Sequence, residues 1–216
     1  MKFVILITLQ LATALAAPSI SPSNPLNELS FFRCPANSVQ PNGNLPDDSI
    51  PTSLLVPISA KHPDEAYDAT PWAKITPNDF CTIFNLELPV AATQGKLCSL
   101  VFDFPSFLQA PFLFRFAGPG HFSFTGFAIN AGAVAGKTTF NNLPAPGPSP
   151  SNPPAVMMPG NSYIVNSAPC GIAGYIPGKV TVSGALCSKD TTLVFWQSDF
   201  ICPLGFYVVL TDDPNM

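Results

Sequence analysis

CTIFNLELPVAATQGKLCSLVFDF (81–104) decides how this chain folds. In its first run, CTIFNLEL (81–88), Phe84, Leu86 and Leu88 fall on one side and Asn85 and Glu87 on the other. In its second, CSLVFDF (98–104), Cys98, Leu100, Phe102 and Phe104 fall together, with Ser99 and Asp103 opposite. A period of two belongs to a pleated strand with one face on a core. Two strands are therefore predicted, each with an apolar inner face and a polar outer one.

The same style continues on both sides. SLLVPIS (53–59) reads as a strand, placed at a sheet edge because Pro57 cannot donate to a ladder. FLFRF (112–116) and HFSFTGFAI (121–129) flank AGPG, a turn of the hairpin kind. SYIVN (162–166), KVTVS (179–183), TLVFW (192–196) and GFYVVL (205–210) follow. The unbroken apolar run in the last predicts burial on both faces. No window has a helical period; HPDEAYD (62–68) makes one turn at most. NNLPAPGPSPSNPPAVMMPGN (141–161) reads as a long Pro-rich loop outside the core. Seven to nine short strands predict an all-β, two-sheet β-sandwich, jelly-roll-like in style.

Composition narrows the class. Charged residues make up only 10% of the chain, while 26 prolines and 18 phenylalanines punctuate and fill it. Proline is excluded from helix interiors and central strands, so it cuts the chain into short segments. MKFVILITLQLATALAA (1–17) has the charged start, short apolar run and small-residue cleavage pattern of a secretory signal peptide, residues 1–16. Without Lys2, eight basic residues face thirteen acidic ones, a formal charge of −5. Nucleic acid and anionic membrane surfaces are not expected partners. No second apolar run follows, and TDDPNM (211–216) is polar, so neither a transmembrane segment nor a GPI signal is expected. The expected organisation is a Pro/Ser/Asn-rich N-terminal arm over 17–53, the sandwich over 54–211 and a polar tail over 212–216.

Export to an oxidising compartment makes six cysteines a disulfide framework. Cys34, Cys81, Cys98, Cys170, Cys187 and Cys202 allow fifteen pairings, and no CxxC is present, which removes zinc-ribbon and thioredoxin readings.

LLVPISAKHPDEAYD (54–68), IFNLELP (83–89), GKLCSLVFDFP (95–105), MPGNSYIV (158–165) and GFYVVL (205–210) resemble, in order, the But-two C-terminal domain family. This fungal family is named for a protein that binds a subunit of the NEDD8-activating enzyme. The resemblance implies a secreted or cell-surface protein with a β-sandwich-like domain and no catalytic residues to transfer. It also implies a Cys98–Cys170 bridge. VFWQSDFICP (194–203) departs from the family pattern, and Cys34, Cys81, Cys187 and Cys202 look like additions. Cys81–Cys202 is the next pairing expected, if their strands are neighbours, and Cys34–Cys187 remains to anchor the arm.

Candidate sites are few. His62 stands beside Asp64, Glu65 and Asp68, the one acidic cluster of the folded part, and reads as a solvated loop rather than a metal site. His121 beside Ser123 lacks a third member for nucleophilic catalysis. Glu87 and Asp103 are the pair a glycosidase would need, if neighbouring, and read more simply as solubilising charges. No catalytic residue, metal ligand or cofactor is expected. Trp72, Tyr67 and Trp196, with Phe200 and Tyr207, are candidate surface contacts for a sugar or protein partner. Phe112, Phe114, Phe116, Phe122 and Phe124 read as core. The expected function is a non-enzymatic structural or interaction protein, extracellular, at the cell surface or cell wall, with wall polysaccharide or wall protein as partner. A carbohydrate-active enzyme or secreted hydrolase is the alternative. A NEDD8-pathway binding protein is the third, and the signal peptide disfavours it.

Overall fold

The computed structural model describes residues 33–214. The expected signal peptide and the arm up to residue 32 lie outside them. Ten antiparallel strands form: β1 (Ile50–Ser59), β2 (Trp72–Ile75), β3 (Phe80–Pro89), β4 (Lys96–Phe104), β5 (Phe114–Ala117), β6 (Ser123–Gly126), β7 (Asn161–Pro169), β8 (Lys179–Cys187), β9 (Thr192–Trp196) and β10 (Gly205–Asp212). Apart from a 3-10 turn at Val90–Thr93, no helix occurs among the described residues. A seven-stranded sheet runs β6-β8-β3-β1-β10-β4-β7, and a three-stranded sheet runs β2-β9-β5.

β1 is the hinge of the large sheet. Ile50 and Pro51 pair with β10, whereas Thr52 to Ser59 pair with β3, with an irregularity between Thr52 and Leu54. Such a bulge bends a strand and increases its twist. The sheet therefore curls into a half-barrel, and Phe84 of β3 stacks on Phe206 of β10, ring centroids 4.0 Å apart, across the strand that separates them. The small sheet packs on this concave side through Phe195, 5.4 Å from Phe102 and 6.5 Å from Phe206. The two-sheet, all-β architecture is as expected. β10 is buried on both faces: Phe206, Val208 and Leu210 enter the main core, Tyr207 and Val209 a second one.

Several local expectations are corrected. Pro57 sits in a strand that is central by order, yet its position is edge-like. Leu55 accepts a bond from Thr70 N–H (3.1 Å) on the side away from β3. The missing N–H of Pro57, two residues on, falls on that same side, beyond the reach of β10. AGPG (117–120) does not close a hairpin: β5 pairs with β9 and β6 with β8, so the turn crosses between sheets. Gly118 and Gly120 take φ of +127° and +86° there, and a Cβ on Gly118 would lie 2.7 Å from the Asp190 carbonyl oxygen. The Pro-rich loop stays mostly outside the core, but Met157 is fully buried.

The outer faces of β3 and β4 are also covered. Phe127 and Ala133 pack over β3, where buried Asn85 accepts from Ala133 N–H (3.0 Å) and donates to the Ala133 carbonyl (3.0 Å). Val39 and Leu45, in the described part of the arm, pack over Val101, Tyr207 and Val209. The last residues assigned to the arm, from Ile50, belong to β1.

All six cysteines are paired. Cys98 joins Cys170, but the expected Cys81–Cys202 and Cys34–Cys187 bridges are replaced by Cys81–Cys187 and Cys34–Cys202. β3 neighbours β8, not β10, and the register Thr82↔Leu186 sets Cys81 opposite Cys187 with Cα atoms 4.5 Å apart. Cys34 fixes the arm to the bend after β9. Peptide mapping without reductant is expected to return these three bridges. Removing Cys81–Cys187 by a double Cys→Ala change is expected to cost about 2–5 kcal/mol in chemical denaturation.

Candidate functional site

Trp72 and Trp196 are cross-strand partners in the small sheet, and their rings meet edge to face at 5.2 Å. Trp196 N–H donates to the Leu113 carbonyl (2.8 Å), which carries the sheet edge into the 105–113 loop. There Phe107 stacks on Phe114 at 4.4 Å, while Leu108 and Phe112 stand out at 85% and 95% exposure. Phe112 has φ of +64°. That region is sterically costly for a bulky L-residue, by roughly 1–2 kcal/mol. The backbone is held there while the ring projects into solvent.

A second projection lies in the bend 198–202, with Phe200 at 83% exposure and Ile201 also exposed. The bend is rigidly braced. Tyr207 O–H donates to the Ser198 carbonyl (2.6 Å), Ser198 and Leu204 pair through both backbone bonds, and Cys202 is bridged to Cys34. Gln109 Nε2 donates to the Arg33 carbonyl (2.5 Å), so the 105–113 loop and the bend are both tied to the first described residues of the arm. These contacts collect exposed rings on one end of the two sheets.

Of the expected surface residues, Trp72 and Trp196 belong to this end, Trp72 as the first residue of β2. Tyr67 does not join them through any contact; it packs at 5.6 Å on Phe80, whose ring carries the Lys74 ammonium 3.3 Å from its centroid. Burial and the neighbouring Glu65 carboxylate push its hydroxyl pKa up. Phe200 joins the patch, whereas Tyr207 is buried and serves as its brace. Phe112, expected in the core, is the most exposed aromatic ring among the described residues. Its one local signal was the preceding Pro111, which the alternation of FLFRF (112–116) outweighed.

The polar candidates stay apart. Glu87 on β3 accepts from Thr181 O–H (2.8 Å), while Asp103 on β4 is separated from it by β1 and β10. Asp103 is buried under the arm, bonded by the Ser162 hydroxyl and by Gln40 Nε2 (3.1 Å). Burial, only partly offset by those two bonds, raises its pKa to about 6. His121 Nδ1 meets Asp190 Oδ2 at 2.8 Å; this bond and that from Thr191 O–H hold Asp190 below the usual carboxylate range. The nearby Ser188 hydroxyl donates to the His121 carbonyl (2.6 Å) and not to the ring. His62 lies 3.9 Å from Glu65, and Asp64 accepts from Asn141. Among the described residues no three His, Cys, Asp or Glu side chains converge to hold a metal, and no helix is long and apolar enough to cross a membrane.

The family model described as the ubiquitin 3 binding protein But2 C-terminal domain matches residues 50–199. The chain belongs to the But2 C-terminal domain family. No curated protein and no solved structure matches it. The But2 match begins with β1 and ends in the bend after β9. Cys81–Cys187 and Cys98–Cys170 lie within the But2 span, while Cys34, Cys202 and the whole of β10 lie outside it.

Asp103 yields a pH prediction. Its folded pKa, about 6, exceeds the unfolded value near 4, so the folded state binds the extra proton between them. Stability contributed by the protonated form is complete below pH 4 and is lost as pH rises through 6, on the order of 2–3 kcal/mol in all. Asp103→Asn is expected to remove that slope. Urea denaturation at closely spaced pH values from 4 to 7 checks it.

Proposed function

We propose that this chain is an extracellular, non-enzymatic interaction module that is secreted by its leader and holds a cell-wall partner on its aromatic end. The observation that carries the reading is Phe112, fully projected on a strained backbone beside the Trp72–Trp196 pair and the braced Phe200. Rigid amphipathic rings stack on the faces of sugar rings and lose little entropy in doing so. An exposed apolar patch on a monomer otherwise carries an aggregation cost, which argues that it has a partner. Wall polysaccharide suits such a surface best.

Three closed disulfides support an oxidising destination. They favour the extracellular reading over a cytosolic partnership such as the one the family description names. The hydrolase alternative draws no support from Glu87 and Asp103, which sit on strands separated by two others and are bonded to different partners.

Pull-down on insoluble chitin and β-glucan tests the reading. The purified protein is expected to be retained on at least one, and Trp196→Ala combined with Phe112→Ala to weaken retention about tenfold or more, as loss of two anchoring rings does at a contact surface. Passage of the unaltered protein through both polymers removes polysaccharide as the partner.

A further inference from the structure

The curl of the large sheet leaves a cavity of about 250 Å³ that the aromatic core does not fill. Its walls come from opposite ends of the strand order: Phe124 and Val182 from β6 and β8 on one side, Leu100 and Ala168 from β4 and β7 on the other. The Cys98–Cys170 bridge belongs to the second wall. The rim is the Pro-rich loop, laid along β6: Gly147 N–H donates to the Gly126 carbonyl (3.1 Å), Gly126 N–H to the Ser149 hydroxyl (2.9 Å), and Ala128 N–H to the Ala145 carbonyl (2.8 Å). Contact is so close that a Cβ on Gly126 would lie 1.9 Å from the Pro148 oxygen. A loop too polar for the core thus has a task, which is to bring Pro148 and Pro150 to the mouth.

The lining states what fits. It contains no Asp, Glu, Lys, Arg or His. Burying a charge there without a counter-ion would be prohibitive. A sugar would need several hydrogen bonds that these walls do not offer. An apolar cavity of about 150 Å³ stays dry and accepts benzene, so this one has room for a larger apolar body.

One polar group stands out. The register between β4 and β7 slips between Leu100 and Val101, with Leu100 opposite Asn166 and Val101 opposite Ile164. The extra residue, Val165, faces the core, and Asn166 faces the same concave side as its partner Leu100. Without the bulge, alternation would turn Asn166 outward. Asn166 is half-buried and lines the cavity, and its side chain makes no hydrogen bond to another described residue. A few placed polar groups in an apolar pocket are what orient a small ligand. We infer that the cavity between β6–β8 and β4–β7 binds a small uncharged amphiphile, its apolar body against Phe124, Val182 and Leu100 and its hydroxyl or carbonyl head on Asn166.

The site is separate from the aromatic end, so the two readings fail independently. The test uses the full chain and N-phenyl-1-naphthylamine, an uncharged dye that brightens in apolar surroundings. The expected results are a saturable rise in fluorescence, displacement by 1-octanol, and no displacement by octanoate at pH 8. Ala168→Trp, at an exposed strand position, is expected to abolish dye binding with an unchanged circular dichroism spectrum; Val182→Phe, from the opposite wall, does the same. Asn166→Leu keeps dye binding but raises the octanol needed about tenfold, the loss of one buried hydrogen bond. Absence of a saturable rise, a rise that both filling variants leave intact, or equal displacement by octanoate overturns the proposal. Octanol displacement unchanged in Asn166→Leu overturns the role of that residue.

Discussion

Phe206 is where the structure is joined. Its ring stacks on Phe84 at 4.0 Å, touches Phe102 at 4.7 Å and is met by Phe124 and Phe195 at 6.2 and 6.5 Å. Those partners come from β3, β4, β6 and β9, so one side chain connects both halves of the curled sheet to the small sheet. Removing a buried Phe costs about 3–5 kcal/mol, as much as any single bridge here contributes. The disulfides act on a different link: each limits the unfolded chain, whereas the ring cluster fixes which face of each strand points inward. The backbone at this residue is pinned from behind, since Gln197 both donates to the Phe206 carbonyl and accepts from its N–H, each at 3.0 Å.

Both proposed surfaces follow from that arrangement. The aromatic cluster fills one part of the concave face and leaves the rest, towards β6 and β7, as a cavity with neutral walls. The small sheet, drawn onto Phe102 and Phe206 by Phe195, carries the Trp72–Trp196 pair at the end of its β2–β9 ladder. The Gln197 clamp on the Phe206 backbone and the brace from the adjacent Tyr207 hold the bend that shows Phe200 to solvent. Membership in the But2 C-terminal domain family rests on residues 50–199, and β10 and Cys202 lie beyond that matched span.

The alternation of residues was enough to read the strands and the two-faced burial of β10, because period two and continuous apolarity are local signals. What it concealed was coverage. Asn85 and Asp103 look like solvent-facing residues in their strands, and both are buried because the 127–133 stretch and the arm, distant in sequence, lie over them. β2 escaped notice because WAKI is four residues long and its meaning depends on Trp196. The AGPG turn has hairpin chemistry, but its flanks find β9 and β8, and no local rule ranks a distant partner against a near one. Two of three cysteine pairings failed for the same cause: β1 stands between β3 and β10, which is a fact of sheet order. Asn166 turns inward only because of a bulge, which alternation cannot foresee.

Amide hydrogen exchange on Phe206→Ala, with the three bridges intact, tests most directly whether a single ring cluster holds both sheets. Protection in β3, β4 and β9 is expected to fall together, by about two to four orders of magnitude, as a loss of 3–5 kcal/mol requires. Loss confined to β10 and its immediate neighbours, with β9 as slow to exchange as in the unaltered protein, would show that the small sheet stands without Phe206 and would contradict the account.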